Sequence, residues 1–135
     1  MEILVIDGQG GGVGRSLVEE LKKICPGAKI IAVGTNSAAT ANMLKGGFAD
    51  AAATGENAVV FNSSRADVIV GPSGIVMANA MYGEITPKMA EAISSSRAEL
   101  VLIPMNNCRA RIVGIAEKRV SEYIAEAAAI ISAMV

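Results

Sequence analysis

The chain has 135 residues, 52% of them hydrophobic and 3% aromatic with no Trp, and a formal net charge of −1. That length predicts one domain over residues 1–135, with a core of Val, Ile, Leu, Ala and Met. There is no basic cluster to meet nucleic acid. No stretch reaches the roughly 18 apolar residues of a membrane span. The chain contains no histidine, which removes the commonest general base and the commonest metal ligand.

The first apolar run, Glu2 to Ile6, reads as a fully buried strand that stops at Asp7 and Gly8. It lacks the basic start and longer apolar stretch of a signal peptide, so a cytoplasmic protein with reduced thiols is expected. Val13, Leu17, Leu21 and Ile24 share one helical face, and the Cys25-Pro26 step ends that helix. Lys29 to Val33 is a second strand, and Asn36 or Ser37 caps a helix through about Lys45. Between Phe48 and Asn62 the pattern is ambiguous: Ala58 to Phe61 suits either a strand or the end of a short helix from Glu56. Asp67 to Val70 is a strand, and Thr86-Pro87 is an N-cap followed by proline at the first helical position. Leu100 to Ile103 is another strand, Arg111 to Ile115 a further one, and Glu117 to Met134 the longest helix. Apolar strands without alternation, separated by helices, predict a Rossmann-like, doubly wound α/β fold of three layers with a mostly parallel sheet.

The segment Asp7-Gly8-Gln9-Gly10-Gly11-Gly12-Val13-Gly14 follows a strand and opens a helix. Glycines in that place let the chain reverse, let backbone N–H groups approach a phosphate, and let helix and strand pack closely. The helix start adds free N–H groups and a partial positive charge. The whole segment is therefore a candidate site for a nucleotide phosphate, with Arg15 as a possible bidentate contact. A tight turn alone accounts for one glycine; five between 8 and 14 are costly in unfolded-chain entropy, roughly 0.5–1 kcal/mol each where misplaced.

Gly8, Gly12 and Gly14, after Ile3-Leu4-Val5-Ile6-Asp7, resemble the Gly-x-x-x-Gly-x-Gly opening of short-chain dehydrogenases. That resemblance implies an NAD(P)-type cofactor loop. The family's Tyr-x-x-x-Lys pair is missing, since neither Tyr82 nor Tyr123 has a lysine four residues on, so the reductase chemistry is not implied. A broader resemblance rests on four phrases: residues 6–12 (IDGQGGG), 54–58 (TGENA), 83–90 (GEITPKMA) and 103–106 (IPMN). These are similar to a family of short uncharacterised bacterial proteins, mostly from anaerobic Gram-positive bacteria, that carries a domain-of-unknown-function label. It implies a compact Rossmann-like fold and no activity. Gly11-Gly12-Val13-Gly14-Arg15-Ser16 also resembles the P-loop of partitioning-type ATPases, but Arg15 stands for the lysine and Gln9 for the first glycine.

In an open α/β sheet, ligands sit beyond the carboxyl ends of the strands. Four turns are expected there: the glycine loop, Thr35-Asn36-Ser37, Gly71-Pro72-Ser73-Gly74 and Met105-Asn106-Asn107-Cys108. Thr35, Asn36, Gly71 and Ser73 join the loop as candidate cofactor-binding residues. Each of these turns taken singly is ordinary turn chemistry. The end of the second strand lacks the acid that holds a ribose in NAD sites, about 20 residues past the loop. NAD(P), another nucleotide or a smaller phosphate therefore remain open. Asp7 beside the loop suits a ribose, a metal or a backbone N–H, with Glu56 the other acid to test; no metal site is expected from so few acids. Cys108 near the cleft lacks an activating partner. Tyr82 and Lys88 are possible proton donors.

Three classes of function follow: a nucleotide-binding module, an enzyme with its site on the cleft turns, or a small regulatory or scaffold protein without catalysis. The P-loop likeness adds a nucleotide-hydrolysing variant of the second. Val120, Ile124, Ala127, Ile131 and Met134 alternate by four and three, a seam able to face a second helix. A homodimer or higher homo-oligomer through the C-terminal helix is the expectation.

Overall fold

The computed structural model describes residues 1–105 and 110–135. Strands β1 (Glu2–Asp7), β2 (Lys29–Gly34), β3 (Ala51–Thr54), β4 (Val68–Pro72) and β5 (Glu99–Ile103) form one sheet in the order β3-β2-β1-β4-β5. Every pairing is parallel, with Val5 opposite both Ala32 and Val70. Helices α1 (Gly12–Ile24), α2 (Ser37–Leu44), α3 (Glu56–Ser63), α4 (Pro87–Ser94) and α5 (Val120–Ser132) connect and flank the strands. The fold is the Rossmann-like three-layer arrangement expected from the sequence.

The strand residues alternate between two cores. Ile3, Val5, Ile30 and Val68 pack with Leu17 and Leu21 of α1, Met43 of α2, and Ile124, Ala128 and Ile131 of α5. Leu4, Ile6, Val33 and Ile69 pack with Val59 of α3, Met89 and Ile93 of α4, and Ile75 and Ile85 from the β4–α4 connection. Both faces are covered, which is why β1 reads as an unbroken apolar run. Local signals hold at two helix starts. Asn36 accepts from the Ala39 N–H at 2.8 Å, and Thr86 accepts from the Met89 N–H at 3.1 Å ahead of Pro87.

One open alternative resolves and two expectations need correction. Ala58–Phe61 belongs to the helix from Glu56, now α3, and the region also holds a strand that the sequence did not show, Ala51–Thr54, at the sheet edge. A run of three alanines carries no β-branched signal; pairing with β2 makes it a strand. Arg111–Ile115 is no strand: its residues are exposed, Val113 fully, and none joins the sheet. The last helix starts at Val120 rather than Glu117. No helix among the described residues is long and apolar enough to cross a membrane.

Candidate functional site

The strand order reverses between β1 and β4. Chain connections run outward from β1 through β2 to β3 on one side and from β4 to β5 on the other. Crevices that hold ligands in such sheets open at this reversal, beyond the carboxyl ends of the strands. A cleft of about 830 Å³ lies there, within the size range of small-molecule sites. Its floor is Asp7 and the loop Gly8–Val13; its other walls are Pro72, Gly74, residues 77–82 and Met105.

The glycines of the loop divide by what surrounds them. At Gly8 an added Cβ would meet Met81 Sδ at 2.6 Å and Thr35 Oγ1 at 2.7 Å. Gly11 is left-handed at φ 73° and would press the Ala39 carbonyl oxygen at 2.6 Å. Gly14 would meet Met43 Sδ at 2.5 Å and Asp7 Cβ at 2.8 Å, so it lets α1 lie close on β1. Gly10 and Gly12 differ: neither has a left-handed φ, and nothing lies within 4 Å of the added carbon. Packing explains three of the five glycines, and these two face open space in the cleft.

The N–H groups of the loop divide in the same way. Asp7 is buried and its two oxygens accept from Gly8 at 2.7 Å and Gly14 at 2.6 Å. Gly11 N–H donates to the Gly8 carbonyl and Gln9 N–H to Glu84 Oε1. The N–H groups of Gly10, Gly12 and Val13 have no partner among the described residues. Burial pushes the Asp7 carboxyl up; the two N–H bonds oppose this, and the charge on Glu84 adds to it. Asp7 is thus spent on the backbone. Glu56, the other acid considered with it, accepts from Thr86 Oγ1 at 2.6 Å. No group of three or more potential ligands gathers for a metal among the described residues.

Apart from Tyr82, the remaining described sequence candidates lie around this cleft rather than on its walls. Thr35 and Asn36 stand at the end of β2, and both donate to Glu84 Oε1, at 2.6 and 2.8 Å. Gly71 is packed beneath it: a Cβ there would fall 2.2 Å from the Ile6 carbonyl oxygen. Buried Ser73 accepts from the Met105 N–H at 3.3 Å. Arg15 contacts Asn42 at 3.4 Å. Tyr82 is fully exposed at the cleft rim, and Lys88 is exposed on α4. Asn106, Asn107 and Cys108 lie outside the described residues.

Sequence reasoning missed Glu84. A carboxylate does reach the end of β2, from a segment some fifty positions downstream, so the expectation that this strand end lacks an acid is corrected. Burial raises the Glu84 carboxyl, but the bonds from Thr35, Gln9 and Asn36 outweigh it and hold the group below its usual range. The unfolded chain then binds more protons than the folded one in the acid range, so stability rises with pH there. The contribution of Glu84 is present above its ordinary range and is lost as the pH falls through its depressed one. Urea titrations at neutral pH and near pH 3 should show wild type losing more stability on acidification than Glu84→Gln. Equal losses would mean that the ionised form is not favoured by folding.

The chain belongs to the family described as a domain of unknown function (DUF3842), whose model matches residues 2–135. No curated protein matches it. Among solved structures it is similar to a dodecameric FMN-dependent UbiX-like decarboxylase from Escherichia coli O157:H7. The TM-score is 0.50 at 17% identity, over 96% of this chain and 75% of that one. At that identity the likeness bears on the fold, and it agrees with the parallel three-layer arrangement.

Proposed function

We propose that this member of a family of unknown function binds a phosphate-bearing nucleotide, with the phosphate on Gly10, Gly12 and Val13 and the ring in the cleft. Residues 1–135 act in this reading as one nucleotide-binding unit. The observation that carries it is the pair of glycines that packing does not require, set beside three N–H groups at a helix start with no partner among the described residues. Glycine at 10 and 12 leaves room for an oxyanion to reach the backbone, and the helix end favours negative charge there. The cleft wall supplies Met77, Met81 and Met105, flexible and polarisable side chains that adapt to a flat ring. The FMN dependence of the similar decarboxylase is a reason to include FMN among the probes. Native mass spectrometry of freshly purified protein, followed by calorimetry with FMN, AMP, NAD and NADP, tests the reading. A retained or titratable nucleotide supports it; no binding and no thermal shift with any of them favours a regulatory or scaffold role.

The assembly is proposed to be a homodimer or larger, but not through the seam expected from spacing. Ile124, Ala127 and Ile131 are buried in the chain's own core against α1 and β5. What α5 leaves outside is Ile130, 47% exposed, beside an apolar groove formed with Leu102, Pro104 and Ile115. Light scattering at micromolar concentration should show a dimer or larger species that Ile130→Glu dissociates. A monomeric parent, or an assembly indifferent to that charge, contradicts it.

A further inference from the structure

The segment from Met77 to Ile85 is folded into a compact knuckle. Ala80 N–H donates to the Met77 carbonyl, Ile85 N–H to that of Ala80, and Asn79 N–H to that of Ile85. Asn79, Met81 and Tyr82 hold left-handed φ values of 66°, 57° and 56°, a conformation costly for residues other than glycine. Ile85 is fully buried and ties the knuckle to the core on the α4 side. The strained backbone sets Met81 and Glu84 directly on Gly8, where even a methyl group would meet Met81 Sδ at 2.6 Å and Glu84 Oε1 at 3.1 Å.

Glu84 then fastens the knuckle across the loop. One oxygen, Oε1, accepts from Gln9 N–H at 2.8 Å, Thr35 Oγ1 at 2.6 Å and Asn36 Nδ2 at 2.8 Å. In a dinucleotide crevice, the space between the glycine loop and the end of the second strand holds the ribose of the adenosine half. Here a side chain of the protein fills that space, held by its bonds to Gln9, Thr35 and Asn36. The cleft lies on the β4 side of the loop, between it, Pro72 and residues 77–82.

Building on the nucleotide reading above, we infer that the site takes a mononucleotide and excludes dinucleotides, with Glu84 as the residue that closes the second half of the crevice. Glu84 is a positioning and specificity residue. It holds the knuckle against the loop and leaves the phosphate-facing N–H groups untouched.

Calorimetry with matched pairs, FMN against FAD and nicotinamide mononucleotide against NAD, tests this on the wild type, Glu84→Ala and Glu84→Gln. In the wild type each mononucleotide that binds should do so tenfold or more tightly than its dinucleotide. Glu84→Ala should narrow that ratio by about tenfold through a gain for the dinucleotide. Glu84→Gln keeps an acceptor for the three donors and should keep the ratio, which separates filling of the space from charge. If Glu84→Ala does not fold, the wild-type ratio and Thr35→Val, which removes one donor, decide the matter: Thr35→Val should narrow the ratio in the same direction. A dinucleotide that binds the wild type as well as its mononucleotide overturns the inference and leaves the phosphate site standing. A ratio unmoved by Glu84→Ala, or by Thr35→Val in its place, also overturns it. Failure of all four probes to bind overturns the site reading and this inference with it.

Discussion

Gly12→Val is expected to reduce nucleotide affinity by a hundredfold or more while leaving stability within about 1 kcal/mol of the wild type. The backbone at Gly12 is not left-handed, and the space where a side chain would go is empty. The Cβ of a residue at the first position of α1 therefore has no tertiary neighbour within 4 Å among the described residues. It would stand where the proposed phosphate approaches the Gly12 and Val13 N–H groups. Gly14→Val is the contrasting control. Its side chain would press on Met43 and Asp7 at under 3 Å, and overpacking of that kind costs about 1–3 kcal/mol. Calorimetry and thermal melts on both variants separate the roles. Gly12→Val binding like wild type would remove the reason for glycine at that position and contradict the phosphate assignment.

Asp7→Ala is expected to destabilise the protein by about 2–4 kcal/mol, and to lower the melting temperature by roughly 10 °C. The carboxylate satisfies two buried N–H groups, those of Gly8 and Gly14, and alanine leaves both without an acceptor. Each such orphan costs about 1–3 kcal/mol. Relief of the buried charge and of its repulsion by Glu84 offsets part of the loss. Asp7→Asn keeps one acceptor oxygen but turns an NH2 toward the other N–H, so it should fall between the two. A loss under 1 kcal/mol for Asp7→Ala would mean that the loop relaxes to find other acceptors. Asp7 would then be free for a ligand or a cation.

How far the sequence could be read depended on the kind of signal each residue carries. β1, β2 and β4 were legible because their apolar runs end at glycine or proline, and α4 because Thr86-Pro87 marks its start. β3 was not, since three alanines become a strand only through pairing with β2. The floor of the cleft was visible as a glycine cluster, but the cluster did not say which glycines pack and which face solvent. That division needs the positions of Ala39 and Met43 on α2 and of Met81 in the β4–α4 connection, both distant from the loop along the chain. Glu84 was hidden for the same reason. The sequence has no acid at the end of β2, and the carboxylate that reaches Thr35 and Asn36 arrives from a connection after β4. Its bonds exist only once the knuckle has folded. The C-terminal seam had the right spacing and another partner: a four-three repeat shows that one face is apolar, and α1 and β5 of the same chain cover Ile124, Ala127 and Ile131 on it.

The most direct test is an amide NMR titration of the wild-type protein with FMN and with AMP. Gly10, Gly12 and Val13 offer N–H groups with no partner among the described residues. An oxyanion accepting from them should move their resonances more than any others, at one saturable affinity for the three. The amides of Gly8 and Gly14, already held by Asp7, should move less. Saturable shifts centred elsewhere, or no shift at these three amides with either nucleotide at millimolar concentration, would contradict the claim that the glycine loop is a phosphate site.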